Sequence, residues 1–173
     1  MKFYQDFLSE SEFNICYNEL LNKLQSDSWK YTKVTWASQE VTEGTTGCVL
    51  SSEVSKTVFD IIYNKFSQLI EITENSKISI CYYIWQANSG LALHDDGNHK
   101  VAGTIYFNEN WNPNYGGMFI WKESLDDIIF KGISPTKNMF ILNDEQQLHM
   151  VTPISPNSPD LRVTIQIWCD ERL

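Results

Sequence analysis

Apolar residues recur at helical spacing in the first half of this chain and alternate at strand spacing in the second. Phe13, Cys16, Tyr17, Leu20, Leu21 and Leu24 make one stripe, which predicts a helix beginning at Ser9. Ser9 and Glu12 have capping-box spacing, and Leu8 and Phe13 flank them as a hydrophobic staple does. Val54, Val58, Ile61, Ile62, Phe66 and Leu69 predict a second helix over residues 52–70. Between the two, residues 28–36 alternate weakly and read as a strand. Residues 38–47 are polar, with Gly44, Thr45, Thr46 and Gly47 together, and read as a loop.

From Lys77 onward the period shortens to two. Ile78, Ile80, Tyr82 and Ile84 alternate with Ser79, Cys81, Tyr83 and Trp85. Further short strands are predicted at 101–107, 117–121, 127–130, 138–142 and 161–168, separated by Asn, Gly and Pro clusters. The expected class is α+β. Its most economical form is a double-sheet, cupin-like jelly roll with the N-terminal helices packed on one sheet. With 173 residues the chain is the size of one domain, 1–173. Residues 1–75 are expected to be mainly helical, and 76–173 to carry the β-core and any metal site.

Charge and cysteine content narrow the function. There are 13 basic and 22 acidic side chains and a net charge of −9, with no Lys/Arg run. Phosphate backbones repel such a chain, so nucleic acid is not an expected partner. Cys16, Cys48, Cys81 and Cys169 are scattered, without zinc-site spacing. The N-terminus lacks an apolar leader, and no stretch has the length of a membrane span. A soluble, cytoplasmic protein with no membrane partner is the expectation.

Only three histidines occur: His94, His99 and His149. His94 and Asp96 form an H-x-D pair soon after the best-defined strand. In extended backbone, residues i and i+2 share a face about 7 Å apart, at about 3.3 Å per residue. The same parity selects Asp96 over its neighbour Asp95. His149, after the apolar run 139–142, can supply a third ligand. Two imidazoles and one carboxylate on one side of an octahedral ion are the pattern of non-haem iron(II) oxygenases. His99 reads as an exposed loop residue, with a replacement ligand in a distorted site as the alternative. Arg162 opens the apolar strand from Val163 to Trp168 and is costly there unless a carboxylate or backbone oxygens satisfy it, the carboxylate being either a bound dicarboxylate or a native Asp or Glu.

Several further pieces are His94-Asp95-Asp96, Gly103-Thr104-Ile105-Tyr106-Phe107-Asn108 with Trp111 behind, and Gly116-Gly117 before a strand. Pro135 with Asn138-Met139-Phe140, then His149-Met150-Val151-Thr152-Pro153, and finally Arg162 through Trp168 complete the set. Together they resemble the prolyl 4-hydroxylase-like branch of the iron(II)/2-oxoglutarate oxygenases, closely from His94 to Trp168 and loosely before it. The resemblance implies a double-stranded β-helix core, with iron(II) held by His94, Asp96 and His149. It implies 2-oxoglutarate and dioxygen as cosubstrates, ascorbate as an accessory, and Arg162 on the far carboxylate of 2-oxoglutarate. Tyr106 either shares that carboxylate or is a core aromatic; Tyr83, Trp85 and Trp168 either line the pocket or simply pack. A retained Asp96 implies hydroxylation, not halogenation. The substrate class it implies is a peptidyl proline, with another amino-acid side chain or a free amino acid using the same core. Residues 38–47 and the 97–100 turn would form a lid or groove, or ordinary connections. The spacing from His149 to Arg162 is longer than the family's, and 155–160 reads as an extra loop. The alternatives of a different class are a non-catalytic cupin-like metal- or ligand-binding module and a structural jelly roll.

Overall fold

Ser9 starts the first helix in the computed structural model, which describes residues 1–33, 47–97, 99–124 and 126–171. Helix α1 is Glu10–Leu24, and its capping box is complete. The Glu12 amide donates to the Ser9 hydroxyl, and the Ser9 amide donates to Glu12 Oε2 at 2.8 Å. Leu8 and Phe13 are buried beside it. Helix α2 is Lys56–Phe66, shorter than the expected 52–70. Its start is set by Ser55, whose hydroxyl accepts from the Val58 amide. The residues before it depart from the helical expectation because Cys48–Glu53 is a strand with paired neighbours on both sides.

Among the described residues there are eleven strands, numbered in chain order. They are β1 (Lys2–Tyr4), β2 (Lys30–Lys33), β3 (Cys48–Glu53), β4 (Ser76–Trp85), β5 (Leu91–His94) and β6 (Val101–Tyr106). Then come β7 (Phe119–Trp121), β8 (Lys131–Ile133), β9 (Phe140–Asn143), β10 (His149–Val151) and β11 (Arg162–Glu171). The strand expected over 127–130 is not one. Ile128 and Ile129 lie exposed, and the pairing starts at Lys131 instead. Residues 34–46, which hold most of the loop expected over 38–47, lie outside the described residues, as does Asn98 of the 97–100 turn.

The strands form two antiparallel sheets. The larger has the order β1-β9-β6-β11-β4-β3-β2, and the smaller β5-β10-β7-β8. Three strands of the larger sheet come from the first 75 residues, beside helices α1 and α2. Side-chain alternation gives the large sheet two different faces. Ile80, Tyr82 and Ile84 of β4 and Val163, Ile165 and Ile167 of β11 form one buried cluster with the α1 and α2 stripes. Tyr82 also donates its hydroxyl to the Cys16 carbonyl of α1 at 2.8 Å. Tyr83, Trp85 and Tyr106 point the other way and pack with Phe119 and Val151 of the small sheet. The central strand β11 keeps unbroken register against all ten residues of β4, from Arg162↔Trp85 to Glu171↔Ser76. The longer approach to Arg162 is held down locally: Ile154 bridges Gly116, and the Ser155 amide donates to the Tyr115 carbonyl.

Candidate active site

His94 closes β5 and His149 opens β10, and the two are directly opposite in the antiparallel pairing. Opposite residues share a sheet face, with Cβ atoms about 5 Å apart. The imidazole centroids are 4.2 Å apart, and both rings are buried. Each ring is fixed by its Nδ1. His94 Nδ1 is 2.8 Å from the Ala92 carbonyl, and His149 Nδ1 is 2.9 Å from the Gln147 carbonyl. A carbonyl only accepts, so both Nδ1 atoms carry a proton, and each ring turns its Nε2 into the cluster.

Asp96 completes the cluster by a route other than strand parity. Its φ is +60°, so the chain turns left-handed just past β5. That turn brings Oδ1 to 3.1 Å from His94 Nε2 and Oδ2 to 3.3 Å from His149 Nε2. Asp95 lies outside the cluster, exposed, with Oδ1 accepting from the Gly97 amide. Burial works against the Asp96 charge, but the His94 hydrogen bond, His149, His94 and Asn143 outweigh it and hold the carboxyl below its usual range. Burial dominates at His149 and pushes that imidazole down, against the pull of Asp96. Two imidazole nitrogens and a carboxylate oxygen converge there, a donor set suited to a cation, and one ligand atom from each residue lies within 4.8 Å of the others.

Arg162 opens β11 on the same face of the large sheet as Tyr83 and Trp85. It is 1% exposed, and a buried guanidinium is costly unless its donors are satisfied. Yet no Asp or Glu pairs with it among the described residues. Nε donates to the Gly117 carbonyl at 2.9 Å, one Nη donates to the Tyr106 hydroxyl at 3.4 Å, and Nη1 has no partner. The flat group is stacked between Trp85 and Tyr106, 4.7 Å and 5.2 Å from their centroids. Burial pushes the Tyr106 phenol up against the pull of Arg162, so the phenol keeps its proton and can donate it. Gly117, at φ +64°, lets the backbone approach, since a Cβ there would meet Arg162 Cδ at 2.8 Å.

Between the sheets a cavity of about 260 Å³ joins these groups. His94, Asp96 and His149 line it together with Arg162, Tyr83, Trp85 and Trp168. His99 also lines it, contrary to its reading as a plain loop residue. Its ring is 5.6 Å from that of Trp168, and Nδ1 is 2.5 Å from Asp170 Oδ1. Sequence reasoning missed Asn143, Thr164 and Gln166. Thr164 Oγ1 receives Trp85 Nε1–H and Gln166 Nε2–H, and Thr104 donates to Gln166 Oε1. For Thr164 and Gln166, two-residue spacing from Arg162 was the available signal.

The sequence profile described as the 2OG-Fe(II) oxygenase superfamily matches residues 78–170, more than half of the chain. This protein is a 2OG-Fe(II) oxygenase. Oxygenases of this family use iron(II), 2-oxoglutarate and dioxygen, and the protein is accordingly a 2-oxoglutarate-dependent dioxygenase. The oxygenase shares its fold with a prolyl hydroxylase from Trichoplax adhaerens, solved with a hypoxia inducible factor oxygen degradation domain peptide fragment. That pair has TM-score 0.72 and 17% identity over 98% of this chain and 83% of the other. A Pseudomonas putida prolyl-4-hydroxylase gives TM-score 0.70 and 15% identity over 99% and 92%. HygX from Streptomyces hygroscopicus, solved with nickel, 2-oxoglutarate and hygromycin B, gives 0.65 and 10% over 99% and 82%. These likenesses establish the jelly-roll fold. No curated protein sequence matches the chain.

The oxygenase has donors that suit both small partners. Imidazole nitrogen and carboxylate oxygen suit iron(II). The free Nη1 of Arg162 and the Tyr106 hydroxyl suit a carboxylate. No described helix is long and apolar enough to cross a membrane.

Proposed function

We propose that residues 1–173 form one oxygenase domain that hydroxylates an unactivated carbon of a peptidyl proline or another amino-acid side chain. His94, Asp96 and His149 hold the iron, and Arg162 with Tyr106 binds the far carboxylate of 2-oxoglutarate. The observation that carries this reading is the buried Arg162 guanidinium, which among the described residues has a free donor and no carboxylate partner and lines one cavity with the His–Asp–His cluster.

The residues divide the work by chemistry. Nδ1–H bonds to Ala92 and Gln147 hold both imidazoles with Nε2 toward the ion. His94, Asp96 and His149 would hold the ion from one side and leave room for the cosubstrates on the other. Bound there, iron(II), 2-oxoglutarate and dioxygen supply the oxidation of a C–H bond, with succinate and carbon dioxide as cosubstrate products. Arg162 and Tyr106 orient the cosubstrate by its distal end, and the stacking of Trp85 and Tyr106 on the guanidinium keeps that end dry. Tyr83 and Trp168, with rings 5.4 Å apart, form an aromatic wall suited to a prolyl ring or aliphatic side chain. The α1 and α2 layer braces the opposite face of the large sheet.

The test is succinate formation from 2-oxoglutarate after anaerobic iron loading and exposure to air, with and without ascorbate. A proline-rich peptide is compared with one lacking proline. Turnover is expected to vanish in His94→Ala and to rise with the proline peptide. Iron bound without succinate under every condition would sink the catalytic reading. Stimulation by the peptide lacking proline would move the substrate to another side chain.

A further inference from the structure

The carboxylate of Asp96 has an anchor outside the ligand set. Because Asp96 lies past the end of β5 at φ +60°, no strand ladder orients it. Among the described residues, three side chains reach its carboxylate. Two are His94 and His149, whose Nε2 atoms are taken up once an ion is bound. The third is Asn143 at the end of β9, 4% exposed, whose Nδ2 donates to Asp96 Oδ2 at 3.2 Å.

The orientation of that amide follows from the Gln147 main chain, whose carbonyl lies 3.4 Å from Asn143 Nδ2, while His149 Nδ1 lies 3.4 Å from the same atom. The Gln147 amide donates to Asn143 Oδ1 at 2.9 Å, which requires oxygen on that side and leaves the NH₂ facing Asp96. The Gln147 carbonyl in turn accepts from His149 Nδ1. One side chain thereby braces two of the three ligands, Asp96 directly and His149 through the 143–147 turn.

We infer that Asn143 is a positioning residue for the iron, an inference that rests on the ligand assignment above. A carboxylate free to rotate can offer both oxygens to a metal, and the second oxygen then fills a position that the keto acid or dioxygen needs. The amide N–H holds one Asp96 oxygen and so keeps the residue a one-oxygen ligand. A neutral donor is well matched to this role, since a cation there would draw charge from the ligand and an anion would repel it.

Cobalt(II) reads the coordination directly by absorption, independently of turnover. Wild type, Asn143→Ala and His94→Ala are titrated with cobalt(II) under nitrogen, then with 2-oxoglutarate, at a temperature where circular dichroism shows each folded. Asn143→Ala is expected to bind cobalt about 10–100-fold more weakly. Its ligand-field bands are expected to differ from wild type, and 2-oxoglutarate is expected to perturb them less. A purely structural role would lower only the unfolding temperature. Wild-type affinity and bands in folded Asn143→Ala therefore overturn the inference and leave the ligands standing. If Asn143→Ala does not fold, Asn143→Asp keeps the volume and the acceptor for Gln147 while removing the donor. Bands identical to wild type in that variant overturn the inference equally. Cobalt binding absent from wild type, or unaffected in His94→Ala, removes the ligand assignment and the inference with it.

Discussion

A single guanidinium decides how the cavity is read. Among the described residues Nη1 of Arg162 is unpaired in a buried position over Trp85, which suits an anion as the other half of a charge-assisted pair. Arg162→Lys retains the charge but loses the planar fork. Hydrogen bonds to charged groups contribute about 1.5–3 kcal/mol, so the 2-oxoglutarate requirement for succinate formation should rise on the order of 10–100-fold, with maximal turnover less affected. Gly117→Ala acts on the same side chain from the backbone. Its new Cβ would press on Arg162 Cδ at φ +64°, and the strain, about 1–3 kcal/mol, should appear both as lower stability in urea and as weaker 2-oxoglutarate binding. At this scale the sequence is readable in residue type more than in geometry. Parity singles out Asp96 over Asp95, but the physical reason is different: Asp96 reaches the cluster by a left-handed turn, not by extended backbone. Asn143 is invisible in the sequence because a polar residue ending an apolar run carries no mark of what it touches.

The elements with long repeats are the legible ones. α1 has fifteen residues and β4 ten, enough for their periods to stand out. Strands β1, β8 and β10 have three residues each, too few to show any period, and are defined by their partners. The end of β3 merges with the second helix in the sequence pattern because Val54 extends the α2 stripe backward. The α1 cap makes a direct prediction: Ser9→Ala should cost about 1 kcal/mol, measured as a fall in unfolding temperature of about 2–4 °C. A pH signature accompanies it. Burial opposes the Glu12 charge, yet the Ser9 hydrogen bonds and Lys65 outweigh it and leave the carboxyl below its ordinary 4.5. A group depressed on folding binds fewer protons in the native state, so its contribution is present above that value and lost as the pH falls below it. The stability difference between wild type and Glu12→Gln should therefore shrink between about pH 6 and pH 3.5 in denaturant titrations.

Across the whole molecule the site belongs to neither sheet alone. His94 and His149 hang from the small sheet, Arg162 and Trp168 from the large one, and the cavity is the space between. No local pattern announces that residues 94 and 149 are cross-strand partners; the family resemblance brings them together as ligands, and the register accounts for it. Partners held by both sheets should tie them together. Manganese(II) with 2-oxoglutarate at about 100 times its dissociation constant should add about 2.7 kcal/mol. That is a rise in unfolding temperature on the order of 5–10 °C, and it should be absent in His94→Ala.

The place of β11 has a consequence for how the chain is made. It lies between β6 and β4 in the large sheet, yet it leaves the ribosome after every other described strand. Until it arrives, the facing edges of β4 and β6 have no partner, and both the helix-side core and the buried arginine of the cavity are missing. The large sheet is thus completed by the insertion of a central strand, a non-local step of the kind that folds slowly and leaves open edges exposed to other chains. The nascent protein is at its most sticky just before it becomes an enzyme, and this is the interval in which a chaperone would matter to it.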